Sequence, residues 1–194
     1  MSFGVLARAA GMGRVAPVVM SLTTFAGSAQ FAAVAVLGAG GSAVTAVVAA
    51  LLLNSRYGPI GLSIAPSLRG NGAARFVQSQ LVVDESWAVA NLGGGRFDGR
   101  MLIGAGLCIY VAWLAGTIAG VAGGDFIGDP AKLGLDAAFP ALFLALLAPQ
   151  LAHRRALVAA VAGGVIALAL VPVARAGVPI VAASAAALVG WRRR

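Results

Sequence analysis

The side chains best placed to do chemistry in this sequence stand in apolar surroundings. Asn54 and Arg56 interrupt LLLNSRYGPIGLSIAP, an otherwise hydrophobic run. A guanidinium at membrane depth costs about 3 kcal/mol on insertion scales unless it reaches water or finds a partner. Arg56 therefore needs either an ion pair within the protein or a substrate carboxylate, which its planar fork of donors suits. Asp84 and Glu85, adjacent in FVQSQLVVDESWAVAN, are the natural counter-ions. A carboxylate pair in a poorly hydrated place also suits proton coupling, and an acidic turn at the membrane surface is the alternative.

The stretch FAGSAQF, Phe25 to Phe31, sets polar groups in the middle of a second apolar run. Gly27 weakens a helix, Ser28 competes for backbone carbonyls, and the Gln30 amide needs both donors and its acceptor engaged. In hydrocarbon, non-helical backbone survives only where protein buries it or where it lines a wet cavity. Two arrangements satisfy this. One is a continuous helix with Gly27 at a tight contact and Gln30 bonded to a neighbouring helix. The other is a helix broken at mid-membrane, offering Gly27, Ser28, Gln30 and free backbone groups to a polar solute. A related element is LDAAFPALFLALLAPQL, where Pro140 removes a helical hydrogen bond and Asp136 lies just before it. Ser28 to Val34 aligns with Pro140 to Leu146 at the Ala, Phe, Ala and terminal aliphatic positions, as inverted repeats with paired broken helices would.

The elements that must position these residues are membrane helices. The chain of 194 residues is 60% hydrophobic and only 10% charged, far from the roughly quarter-charged make-up of a soluble domain. A crossing needs about 20 apolar residues. We read six, at Val15 to Leu37, Val44 to Pro66, Met101 to Ala122, Leu133 to Leu151, Ala156 to Val173 and Gly177 to Trp191, forming one all-α domain over residues 1–194. Glycine-bearing or polar joints separate them. If Phe76 to Asn91 does not cross, Arg8, Arg14, Arg69, Arg75, Arg96, Arg100, Arg154, Arg155 and Arg192 to Arg194 share one side of the membrane. Lys132 and Arg175 are then left on the other, the asymmetry that fixes orientation. A crossing there would split the charges almost evenly, so Phe76 to Asn91 is expected to be re-entrant or interfacial. Ala112, Gly116, Gly120 and Gly124 recur at every fourth position and mark a helix-contact face, with a weaker row at Ala182, Ala186 and Gly190.

Several function classes fall away. The formal charge of +8 is scattered between hydrophobic runs, as in the loops of polytopic proteins, and does not indicate nucleic-acid binding. One cysteine, Cys108, and one histidine, His153, cannot form a disulfide or a metal site within the chain. No phosphate-binding glycine loop, nucleophile elbow or zinc-hydrolase motif is present, so no cofactor and no catalysis are expected.

FAGSAQF, the N-x-R pair Asn54 and Arg56 followed by GLSIAP, DES at Asp84 to Ser86, and LGLDAAFPALFLALL at Leu133 to Leu147 together resemble the AzlC family, the large subunits of bacterial branched-chain amino acid exporters. The resemblance implies a multi-pass permease of the bacterial cytoplasmic membrane that exports valine, leucine, isoleucine and methionine or analogues. It further implies a small hydrophobic AzlD-type partner subunit. The candidate site residues are Gly27, Ser28, Gln30, Asn54, Arg56 and Pro140 for substrate, and Asp84, Glu85 and Asp136 for proton coupling or ion pairing. With no nucleotide motif, proton antiport is the expected energy source. A non-transporting scaffold subunit is the competing expectation. The chain departs from the family at Tyr57 and Ile60, where a His and a Tyr are usual. It also reaches FGVLARAAG almost at its start, so the family's first crossing is expected to be missing.

Overall fold

Helix starts are marked by side chains that take up orphan amides. Ser42 Oγ accepts from Thr45 N at 3.1 Å, and Asn71 Oδ1 accepts from Ala74 N at 2.9 Å. Asp98 Oδ1 accepts from Arg100 N at 2.8 Å and Met101 N at 3.1 Å. The computed structural model describes residues 1–127, 154–174 and 178–186, with 134, 137, 141, 144–145, 147–148 and 151 between them. Its helices are α1 Ser2–Ala9, α2 Val15–Thr23, α3 Gly27–Gly38, α4 Ala43–Asn54, α5 Tyr57–Ile64, α6 Gly72–Ser79, α7 Asp84–Ala90, α8 Gly99–Ile127, α9 Arg154–Leu170 and α10 Val178–Ala183. Strands β1 Asn91–Gly93 and β2 Arg96–Phe97 form a small antiparallel hairpin between α7 and α8.

Among the described residues, two helical stretches are long and apolar enough to cross a membrane, Ala43–Ser67 of 25 residues and Gly99–Gly124 of 26 residues. Their large apolar side chains mostly face outward, among them Val44, Leu51, Leu107, Val111 and Ile118. An outward apolar face is what lipid, rather than water, rewards. The expected crossing over Val15 to Leu37 is instead two helices, α2 and α3, parted at Thr24 to Ala26. Phe76 to Asn91 holds the end of α6 and all of α7, helices of 8 and 7 residues, each too short to span a bilayer. Of the three later expected crossings, α9 covers much of Ala156 to Val173 and α10 part of Gly177 to Trp191. Leu133 to Leu151, with Asp136 and Pro140, falls largely outside the described residues.

The core forms where α8 meets the N-terminal half. Phe3, Ala7, Phe31 and Val34 pack together, with Trp113 of α8 against them. A second cluster, Ala33, Val36, Ala46 and Ala49, joins α3 to α4, and a third, Ile64, Ala90 and Leu102, joins α5, α7 and α8. The small-residue row on α8 is covered by α1. A Cβ on Gly116 would stand 2.7 Å from Met1 N, and one on Gly124 would stand 3.8 Å from Arg8 Cβ. Gly4 answers from α1, where a Cβ would stand 2.8 Å from Val121 N. The close approach of two backbones thus accounts for the glycines. On the second row, Ala186 is buried against Gly163 of α9.

Candidate functional site

Phe25 holds the break between α2 and α3 with a φ of 38°, in the left-handed region that non-glycine residues rarely enter. It is 7% exposed, so packing rather than solvent sustains the conformation. Helix α8 braces both sides. Tyr110 Oη donates to Leu22 O at 2.9 Å, taking up a carbonyl left over at the end of α2. The Tyr110 ring meets that of Phe25 edge-on at 4.9 Å. Trp113 lies across the start of α3, where a Cβ on Gly27 would stand 3.1 Å from its ring. Among the described residues no side chain caps α3, so its first amides are open to another partner.

Arg56 reaches this break from the joint between α4 and α5. Its Nε donates to Asp84 Oδ1 at 3.0 Å and its Nη2 to Asp84 Oδ2 at 2.6 Å, a two-pronged pair. Nη2 also donates to Ser28 Oγ at 2.6 Å, in the first turn of α3. Nη1 donates to Leu53 O at 3.1 Å. The guanidinium carbon lies 5.1 Å from the centre of the Tyr57 ring, within the range of cation–π attraction. The pair is largely buried, with Arg56 30% and Asp84 20% exposed. Asp84 is the first residue of α7, which aims its carboxylate inward, and Ser86 holds that helix start by accepting from Val83 N at 2.9 Å.

Gly27, Ser28, Arg56, Asp84 and Glu85 line one pocket with Phe25, Tyr57 and Trp113, and its volume is about 40 Å³. That is room for a water or two at roughly 30 Å³ each, and far too little for an amino acid. A neighbouring pocket of about 270 Å³ shares Phe25 and Tyr57 and is lined by Asn54 and by the break residues Thr24 and Ala26. Asn54 Oδ1 is buried and has no hydrogen-bond partner among the described residues, a costly state for an amide acceptor. The arrangement is a closed cleft: a charged fork and the start of α3 meet in it, shut by an internal ion pair, with Asn54 in the pocket beside it.

The expected site residues divide. Ser28, Arg56 and Asp84 bond directly to one another, Gly27 and Glu85 border them, and Asn54 lines the adjoining pocket. Glu85 is exposed and makes no hydrogen bond or ion pair among the described residues. Gln30 is elsewhere. It is fully buried, its Nε2 donating to Ser21 Oγ and its Oε1 accepting from Trp113 Nε1, both at 3.0 Å. Ser21 Oγ is 3.0 Å from Thr117 Oγ1, which donates to Trp113 O at 2.9 Å. Gln30 thus bridges α2, α3 and α8 with its amide turned to helix contacts. Pro140 and Asp136 lie outside the described residues. Sequence reasoning noted Tyr57 only as a departure from the family and passed over Tyr110, Trp113 and Thr117. These three had a signal: polar-tipped side chains at steps of three and four lie on one helix face.

The AzlC protein family model matches residues 1–127. A membrane protein of Archaeoglobus fulgidus, itself uncharacterized, is 36% identical over 98% of this chain and 85% of its own length. The branched-chain amino acid transport protein AzlC of Bacillus subtilis is 26% identical over 77% of this chain, and the match spans 60% of that protein. The inner membrane protein YgaZ of Escherichia coli is 29% identical over 89% of this chain and 76% of its own length. No solved structure matches. The family match covers the whole of the Arg56, Asp84 and Ser28 cleft and the two membrane-length helices, and the chain belongs to the AzlC family of membrane proteins.

Proposed function

We propose that the chain is the transporting large subunit of an exporter of branched-chain amino acids, proton-coupled and paired with a small hydrophobic AzlD-type subunit in the cytoplasmic membrane. The observation that carries this reading is the two-pronged Arg56 to Asp84 pair, tied to Ser28 at the broken helix. An amino acid is a zwitterion. Its carboxylate can take the place of Asp84 on the Arg56 fork while its ammonium turns to Asp84 and to the unsatisfied Asn54 Oδ1. The exchange of one internal ion pair for two external ones leaves the net charge at depth unchanged, which avoids the cost of an uncompensated charge. The apolar wall formed by Phe25, Ile64 and Val82 in the larger pocket suits a branched aliphatic side chain. A proton on a carboxylate of the Asp84 and Glu85 pair would reset the cleft after release.

Alternating access follows if α3, starting at the break, rocks against α2, with Phe25 as the hinge. In this reading six crossings complete the fold, and the Pro140 segment mirrors the Phe25 break. The relative of Bacillus subtilis carries branched-chain amino acid transport in its name, which supports the choice of substrate. The test is export from cells loaded with labelled leucine, valine or isoleucine, with this chain and a small hydrophobic subunit produced together. Efflux should exceed that of cells with the small subunit alone and should collapse with a protonophore. Efflux equal to the control for all three, with both subunits present in the membrane, overturns the reading and leaves a scaffold role.

A further inference from the structure

A second cavity, of about 880 Å³, lies away from the cleft and is lined by Ser67, Arg69, Gln78, Phe97, Asp98 and Arg100 among others. Its depth in the membrane is fixed by the helices. The two membrane-length stretches end and begin at Ser67 and Gly99, and these ends are joined, with Ser67 Oγ donating to Phe97 O at 3.1 Å. The cavity therefore stands at the height where hydrocarbon gives way to headgroups. Beside it, α6 exposes Phe76 and Val77 next to Arg75, the mixture of an interfacial helix.

The charged groups are fixed in place but not consumed. Gln78 pins the Arg69 backbone, its Oε1 accepting from Arg69 N at 3.2 Å and its Nε2 donating to Arg69 O at 2.8 Å. Arg100 is held in the first turn of α8 by Asp98. Neither guanidinium forms a hydrogen bond or salt bridge among the described residues, and both act on Asp98 through space. Asp98 is the local opposing charge, and its carboxylate is committed to the amides of Met101 and Arg100. Two guanidinia against one engaged carboxylate leave a positive site. Pro66, Leu92 and Ile103 add apolar wall to the same cavity, so it offers both cationic donors and hydrocarbon-like surface.

We infer that this cavity binds the phosphodiester of an anionic phospholipid in the adjacent leaflet, with an acyl chain along Pro66, Leu92 and Ile103. The expected basic side of the membrane, where Arg69 and Arg100 fall, is the side whose anionic lipids attract basic residues. The inference is independent of the transport reading, since it uses none of the cleft residues.

The test is lipid retention by the purified full chain, delipidated and then offered phosphatidylglycerol, phosphatidylcholine or inorganic phosphate. Mass spectrometry counts bound lipid, and thermal unfolding reports stabilisation. Phosphatidylglycerol should be retained over phosphatidylcholine and should raise the melting temperature, while inorganic phosphate at equal concentration should not. Arg69→Gln and Arg100→Gln should each weaken retention about fivefold, the scale of one basic side chain at a charged membrane surface. Arg154→Gln with Arg155→Gln should change nothing. Equal retention of the two lipids by the wild type overturns the proposal. So does stabilisation by inorganic phosphate matching that by lipid, which makes the cavity a free-anion site, or an equal loss in the Arg154 and Arg155 variant, which makes the effect diffuse charge.

Discussion

Removing the Arg56 guanidinium would leave Asp84 without its ion partner and Ser28 Oγ without its donor. We expect Arg56→Ala to abolish leucine efflux and to lower the melting temperature. Arg56→Lys keeps the charge but cannot reach both carboxylate oxygens and Ser28 together. It should lose efflux about ten- to a hundredfold, corresponding to about 1.5–3 kcal/mol for a hydrogen bond to a charged group. Gln30→Leu tests a different role. It keeps the volume but strands Trp113 Nε1 and takes one of the two partners of Ser21 Oγ, so stability should fall by about 1–3 kcal/mol, read by thermal unfolding in detergent, with the concentration dependence of leucine transport little changed. At this scale the sequence made the ion pair legible because a charge in an apolar run must have a partner. That the partner is Asp84 rather than Glu85 was not legible, since it depends on which residue opens α7 and faces inward. Gln30 was recognised as needing partners, but one of them, Trp113, is 83 residues away, and no local pattern announces it.

Helix α8 organises both the break and the core, and its glycines differ sharply in what surrounds them. A Cβ at Gly106 would press into the Leu81 backbone, whereas Gly104 has open space. Gly106→Ala should therefore destabilise the chain and loosen α7, while Gly104→Ala should stabilise it by about 0.5–1 kcal/mol through helix propensity. Parallel thermal melts check the pair. The start of α8 carries a pH dependence. The amides of Met101 and Arg100 hold the Asp98 carboxyl below its ordinary value of 3.8. A carboxyl depressed in the folded state stabilises fully above its unfolded value and ceases to do so as the pH falls through the folded one. The difference in melting temperature between the wild type and Asp98→Ala should be constant above about pH 5 and shrink below about pH 4. The contact row on α8 could be read from its spacing, because only small residues admit a neighbouring backbone. Its partner could not, since α1 has only 8 residues and is too short to announce itself as a membrane helix. FAGSAQF likewise signalled a break, but the chain turns at Phe25, two residues ahead of the glycine, where the ring of Tyr110 supplies the support.

For the molecule as a whole, the cleft is a closed state. The ion pair that shuts it is also the feature proposed to recognise the substrate, and on that proposal binding and opening are one event. The helical, membrane-embedded character was legible from composition alone, because nothing but lipid tolerates so much outward-facing aliphatic surface. The closure was not, since it depends on three side chains brought together from α3, the α4 to α5 joint and α7. The most direct measurement is the rate at which a membrane-impermeant thiol reagent modifies Ser28→Cys in a Cys108→Ala background, with and without leucine. Ser28 is 4% exposed, so the reaction should be slow. Adding Asp84→Asn should speed it about tenfold, the effect of about 1.4 kcal/mol less closure, and leucine should then slow it again. A rate indifferent both to the Asp84 carboxylate and to leucine would contradict the account, for the pocket would then neither be shut by the ion pair nor hold the substrate.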